Sequence, residues 1–148
     1  MFLLDTNVVS EMRRPQPSLD VRTWVENKPS DFQFLSVISL LEMTRGASRH
    51  PDPVQRSSIQ GWIDSTLRVW FESRVLAISA EIAEDSGVLM GVQERAGRTI
   101  SLPDALIAAT AMRHHLVLVT RNTKDFFGLP FDVYDPWNNK LILGTQRR

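Results

Sequence analysis

The chain contains no cysteine, which excludes disulfides, thiolate metal ligands and a cysteine nucleophile. It also lacks net charge, with 17 Lys and Arg against 17 Asp and Glu. A protein that coats nucleic acid through excess basic charge is therefore excluded, but one that grips it through a few local arginines is not. No apolar run approaches the roughly 20 residues of a membrane span, and no basic segment followed by an apolar one opens the chain. The expectation is a soluble, cytoplasmic protein. The three histidines, His50, His114 and His115, show no metal-ligand spacing and disfavour zinc. Repeats, low-complexity tracts and linkers are also missing, so residues 1–148 are expected to form one domain.

What is present is an alternation of apolar runs and helical patterns. Phe2–Leu4, Phe32–Leu35, Val75–Ile78, Leu116–Val119 and Phe131–Tyr134 read as strands. Between them, Ser18–Glu26 and Val37–Gly46 read as helices, the second stopped by its glycine. Ile59, Trp62, Ile63, Leu67, Trp70 and Phe71 recur at helical intervals, which favours core or subunit interface over a base-stacking surface. Ser79 can cap a helix that ends near Gly97, and Leu102–Met112 is apolar almost all round, as a buried helix would be. The pattern predicts a three-layer α/β/α sandwich around a mostly parallel sheet of about five strands. In such sheets ligands bind beyond the carboxyl ends of the strands.

Four acids follow apolar runs: Asp5, Glu42, Asp104 and Asp125. Each has a purely structural explanation. Asp5 can cap the first helix, Ser39-x-x-Glu42 and Ser101-x-x-Asp104 have capping-box spacing, and Asn122-x-x-Asp125 can cap a short turn. Together they suggest more. Asp5 and Asp125 closely follow strands, Glu42 lies about two helical turns beyond one, and Asp104 opens an apolar helix. Four carboxylates at one sheet edge repel one another unless divalent cations lie between them. Hard oxygen ligands favour Mg²⁺ or Mn²⁺. Such cations polarise phosphoryl oxygens and lower the pKa of bound water, the chemistry of phosphodiester hydrolysis.

In order along the chain, MFLLDTNVVSE, SLLEMTRG, LPDALIAATA and LVTRNTKDF resemble the motifs of the PIN-domain ribonucleases. The likeness is greatest to the VapC- and FitB-type toxins of bacterial toxin–antitoxin pairs, and Asp135–Asn138 is similar to the tail of the FitB-type branch. The resemblance implies a PIN-like domain and a Mg²⁺- or Mn²⁺-dependent endoribonuclease. It also implies a homodimer silenced by a cognate antitoxin, with DNA contacted only through that antitoxin. It places the catalytic, metal-holding acids on Asp5, Glu42, Asp104 and Asp125, with Thr6, Thr120 and Asn122 as supporting polar residues. The fourth position falls on Asp125 or Asn122, and a carboxylate holds Mg²⁺ better than an amide oxygen does.

Arg45, Arg121 and Lys124 are candidate RNA contacts, as are Arg13, Arg14 and Arg49, against the alternative of ordinary solvated helix-end charge. Val8, Val9 and Met12 are candidates for an antitoxin groove, with core preferred for the two valines. Two other functions compete. One is a haloacid-dehalogenase-like phosphatase or phosphoacceptor domain using Asp5, although Asn7 stands where the D-x-D pattern needs a second acid and Val75–Ile78 leads to Ser79. The other is a non-catalytic binding module whose acids only cap helices.

Overall fold

A computed structural model describes residues 1–145 of the chain. Its elements are β1 (Phe2–Leu4), α1 (Thr6–Arg13), α2 (Leu19–Glu26), β2 (Gln33–Ser36), α3 (Val37–Ser48), α4 (Pro53–Trp62), α5 (Arg68–Phe71), β3 (Val75–Leu76), α6 (Ala80–Arg95), α7 (Leu102–Arg113), β4 (Val117–Val119), β5 (Val133–Asp135) and β6 (Lys140–Ile142). The sheet has the order β3-β2-β1-β4-β5-β6. Every pairing is parallel except β5 with β6. The sheet is thus mostly parallel, as expected, but has six strands; the antiparallel β6 was not foreseen.

Strand alternation splits the core in two. Leu3 and Leu118 face the layer built by α6 and α7. Leu4, Leu35 and Val119 face the opposite layer, with Val8, Val9, Val21, Met43 and Phe71. Each central strand is buried on both faces, which is why it reads as a continuous apolar run. Val8 and Val9 are fully buried core, and Met12 packs against them.

Some boundaries differ from the sequence reading. The third strand stops at Leu76. Helix α3 passes Gly46 and ends at Ser48, because a glycine inside a packed helix need not stop it. The pattern over 59–71 is interrupted by a π turn, Ile63–Leu67, between α4 and α5. Ile63, Leu67 and Phe71, spaced by four, are all buried. A four-residue spacing drifts around an α-helix, and one wider turn returns these residues to the same face. In α7, Ala105 and Ile107–Ala109 are fully buried, but Leu102 is 58% exposed at the helix start.

The chain moves from β1 through β2 to β3 on one side, then crosses to β4 and β5 on the other. The sheet therefore has a topological switch point between β1 and β4, where the connections diverge and leave a crevice. Residues 5 and 120 lie at the carboxyl ends of those two strands.

Candidate functional site

Asp5 is delivered to the crevice by the last ladder bond of the sheet, from its backbone N–H to the Val119 carbonyl at 2.9 Å. Its side chain caps α1, with Oδ1 accepting from the Thr6 amide at 2.7 Å. Oδ2 accepts from the Thr120 hydroxyl at 2.7 Å and the Asn7 amide nitrogen at 3.1 Å. The structural and chemical readings of Asp5 are therefore compatible: one carboxylate caps a helix and still has lone-pair capacity for a ligand. Asp5 is only 4% exposed. Burial pushes its pKa up to about 6, with Asp104 and Glu42 adding to the rise and the hydrogen bonds from Thr120 and Thr6 opposing it.

Thr6 links this acid to the next one. Its backbone serves Asp5 while its hydroxyl donates to Glu42 Oε1 at 2.8 Å. Glu42 lies on α3, whose cap is Ser36, with Oγ accepting from Ile38 N. The capping-box reading of Ser39-x-x-Glu42 is therefore wrong. Ser39 is inside the helix and buried, and among the described residues its hydroxyl has no partner. Glu42 is left to face Thr6 instead.

Asp104 does sit in a capping arrangement. Ser101 Oγ accepts from the Asp104 amide at 3.2 Å and donates to Asp104 Oδ2 at 2.8 Å. Burial raises the pKa of this half-buried acid, and the nearby charge of Asp125 raises it further, against the Ser101 hydrogen bond. Asp125 is exposed in the turn after β4, its amide bonded to the Asn122 carbonyl at 3.2 Å. Asn122 serves through its backbone: its N–H donates to Thr120 Oγ1 at 3.0 Å.

Asn7 is the residue sequence reasoning left out of the site. Its Nδ2 donates to both Asp5 and Thr120, and its Oδ1 accepts the backbone N–H of Arg121 at 3.2 Å. It ties the β1 end to the β4 end across the crevice. Its position in Asp-Thr-Asn was a signal, masked because all three are cap-forming types. An amide donor at position 7 also removes the second acid a D-x-D phosphatase needs, and Ser79 caps α6 where a phosphoacceptor acid would stand.

The site is electrostatically one-sided. Among the described residues, Asp5, Glu42, Asp104 and Asp125 form no ion pair with any Lys or Arg. No three of them, as they stand, form a group able to hold a metal directly. Asp5 and Asp104 are each pushed up in part by acidic neighbours, and a set that offers only hard oxygen donors suits a strongly hydrated divalent cation, bound by one or two carboxylates and reaching the others through water. Of the candidate RNA contacts, Arg45, Arg121 and Lys124 are exposed. Arg14 pairs with Glu11 at 3.2 Å and Arg13 reaches Ser58.

Fold and site together define a class of doubly wound α/β domain that gathers acids, rather than a phosphate-binding loop, at its switch point. Residues 2–130 match the family model described as the PIN domain, and the chain belongs to that family. It is 30% identical over 139 residues to the toxin FitB of Neisseria gonorrhoeae, covering 94% of this chain and all of that protein. It is 29% identical over 137 residues to the VapC ribonuclease Y4jK of Sinorhizobium fredii, covering 93% and 98% of the two chains. Among solved structures, FitAcB from Neisseria gonorrhoeae superposes with a TM-score of 0.86 at 31% identity, over 93% of this chain and 99% of that one. A toxin–antitoxin complex from Klebsiella pneumoniae superposes with a TM-score of 0.67 at 31% identity, over 92% and 98%.

Proposed function

We propose that this protein is the endoribonuclease toxin of a toxin–antitoxin pair and hydrolyses RNA phosphodiester bonds with a divalent cation, Mg²⁺ or Mn²⁺. The observation that carries this reading is the buried Asp5, crowded by Asp104 and Glu42 and unpaired with any cation among the described residues. The ribonuclease and toxin named among its relatives support the same reading.

Asp5 and Asp104 would hold the cation, with Glu42 and Asp125 completing its shell directly or through water. When bound, the cation supplies Lewis acidity at a phosphoryl oxygen and lowers the pKa of water. Thr120 and Asn7 orient Asp5, Thr6 orients Glu42 and Ser101 orients Asp104. An acid of this set orients the attacking water, and the proton that water gives up as its oxygen bonds to phosphorus passes to solvent. The bond from phosphorus to the leaving oxygen breaks in the same displacement.

The whole chain, 1–148, acts as a single PIN-like domain in this reading. It forms a cytoplasmic homodimer and is silenced by a small cognate antitoxin, through which alone it meets DNA. The solved toxin–antitoxin relative supports the partner. Among the described residues no helix is long and apolar enough to cross a membrane. Purified protein incubated with RNA is expected to cleave it in Mg²⁺ or Mn²⁺ and to stop in EDTA; cleavage unaffected by EDTA would reject the metal mechanism.

A further inference from the structure

The Asp135–Asn138 turn has no role in the chemistry above, yet it meets Arg121. Asp135 is 5% exposed; its Oδ1 accepts the Trp137 amide at 2.9 Å, and its Oδ2 accepts from Asn138 Nδ2 at 2.7 Å. The turn ends at Asn139 in the left-handed region, φ 48°, and Asn139 Oδ1 accepts the Tyr134 hydroxyl at 2.7 Å. This bonding fixes the backbone that carries Trp137, whose side chain packs against the core. The guanidinium of Arg121 lies over the Trp137 ring, 5.4 Å from its centroid.

Arg121 is held at its backbone as well, through the Asn7 side chain that also binds Asp5. Glu11 is 7% exposed, and its oxygens are already engaged by the Ser18 amide at 2.7 Å and by Arg14. Its negative charge attracts Arg121, but among the described residues Arg121 forms no ion pair. A mobile arginine one residue from Thr120, which bonds Asp5, would be expected to fold onto the acidic edge and neutralise it. Stacking on an indole holds the guanidinium plane while leaving its N–H edge free for an anion. Among the described residues Arg45 and Lys124 have no such support.

We propose that Arg121 binds a phosphate of the RNA strand beside the reacting one, and that Trp137 is a positioning residue that keeps it at the mouth of the crevice. This rests on the ribonuclease reading above. Arg121 touches substrate, whereas the Asp135–Asn138 turn acts through it by presenting Trp137.

The test uses the full chain and a labelled single-stranded RNA. Binding is followed by anisotropy in EDTA across a salt series, and steady-state cleavage is followed in Mn²⁺. Arg121→Ala is expected to raise KM about tenfold or more, the scale of losing a hydrogen-bonded charge contact, with kcat within about threefold of wild type. Its plot of log affinity against log salt should flatten by about 0.7, the loss of one phosphate contact on a single strand. Arg121→Lys should keep the salt slope but not the full affinity, because it keeps the charge and loses the planar fork. Trp137→Leu should raise KM several-fold, and Trp137→Phe should recover most of that loss. If Arg121→Ala shows wild-type KM and salt slope while the wild type cleaves RNA and stops in EDTA, this assignment is overturned and the nuclease reading stands. A wild type that fails to cleave RNA in Mn²⁺ overturns both. Should Trp137→Leu not fold, the exposed Arg121 still decides the question.

Discussion

Asp5 shows how a single residue is shaped by opposing demands. Three donors favour its charged form, yet burial and neighbouring acids prevail and its pKa rises to about 6. The ordinary value for this side chain is 3.8, so the metal-free fold prefers the protonated acid. The stabilisation from this group is complete below about pH 3.8 and is lost as pH rises through about 6, a change on the order of 3 kcal/mol. Asp5→Asn should remove that dependence. In urea unfolding without metal, the stability of the variant relative to wild type is expected to grow between pH 4 and pH 7; a constant difference would mean that Asp5 is not strained. The importance of Asp5 was legible in the sequence only in company: alone it reads as a helix cap, and Glu42, Asp104 and Asp125, each following an apolar run, give it another meaning. The part played by Asn7 was not, since a capping amide and one that bridges two strands look alike until the strands are adjacent.

Each acid reaches the crevice on an element with its own local logic. Helix α7 begins at Ser101, whose hydroxyl both caps the helix and holds Asp104. Ser101→Ala is expected to cost about 1 kcal/mol in thermal unfolding, as cap losses do, and to weaken Mn²⁺ affinity as well. A loss of stability with unchanged metal affinity would show the serine to be only a cap. The hairpin of β5 and β6 closes the far edge of the sheet, where Gly144 lies against Phe131: a Cβ at 144 would stand 2.5 Å from the Phe131 nitrogen. Gly144→Ala should therefore push apart the backbone segments at 131 and 144 and cost about 1–3 kcal/mol by overpacking; a wild-type melting temperature would contradict that packing. The parallel strands were readable because they are buried on both faces. Strand β6 was not, because three residues with Leu141 54% exposed carry too short and too mixed a pattern. The π turn was hidden for a related reason: residues four apart fit a regular helix until the burial of Ile63, Leu67 and Phe71 on one line is known.

At the scale of the molecule, the crossover of the chain between β3 and β4 creates the site. It opens the crevice between β1 and β4, and helices arriving from both layers bring Glu42 and Asp104 to the same edge. Total charge is zero, but the described acids at this edge have no cationic partner, so the molecule is polarised there without being acidic overall. A cation binding only the folded state stabilises it by mass action. Saturating Mn²⁺ at pH 7 should raise the melting temperature of the wild type by several degrees or more, since each kcal/mol of stabilisation shifts it by about 2–8 °C in domains of this size range. The most direct test of the central claim is RNA cleavage measured across a Mn²⁺ titration for the wild type beside Asp5→Asn. Wild-type cleavage is expected to rise with Mn²⁺ and vanish in EDTA, and the variant is expected to be inactive at every concentration. Equal cleavage by the two proteins would contradict the claim.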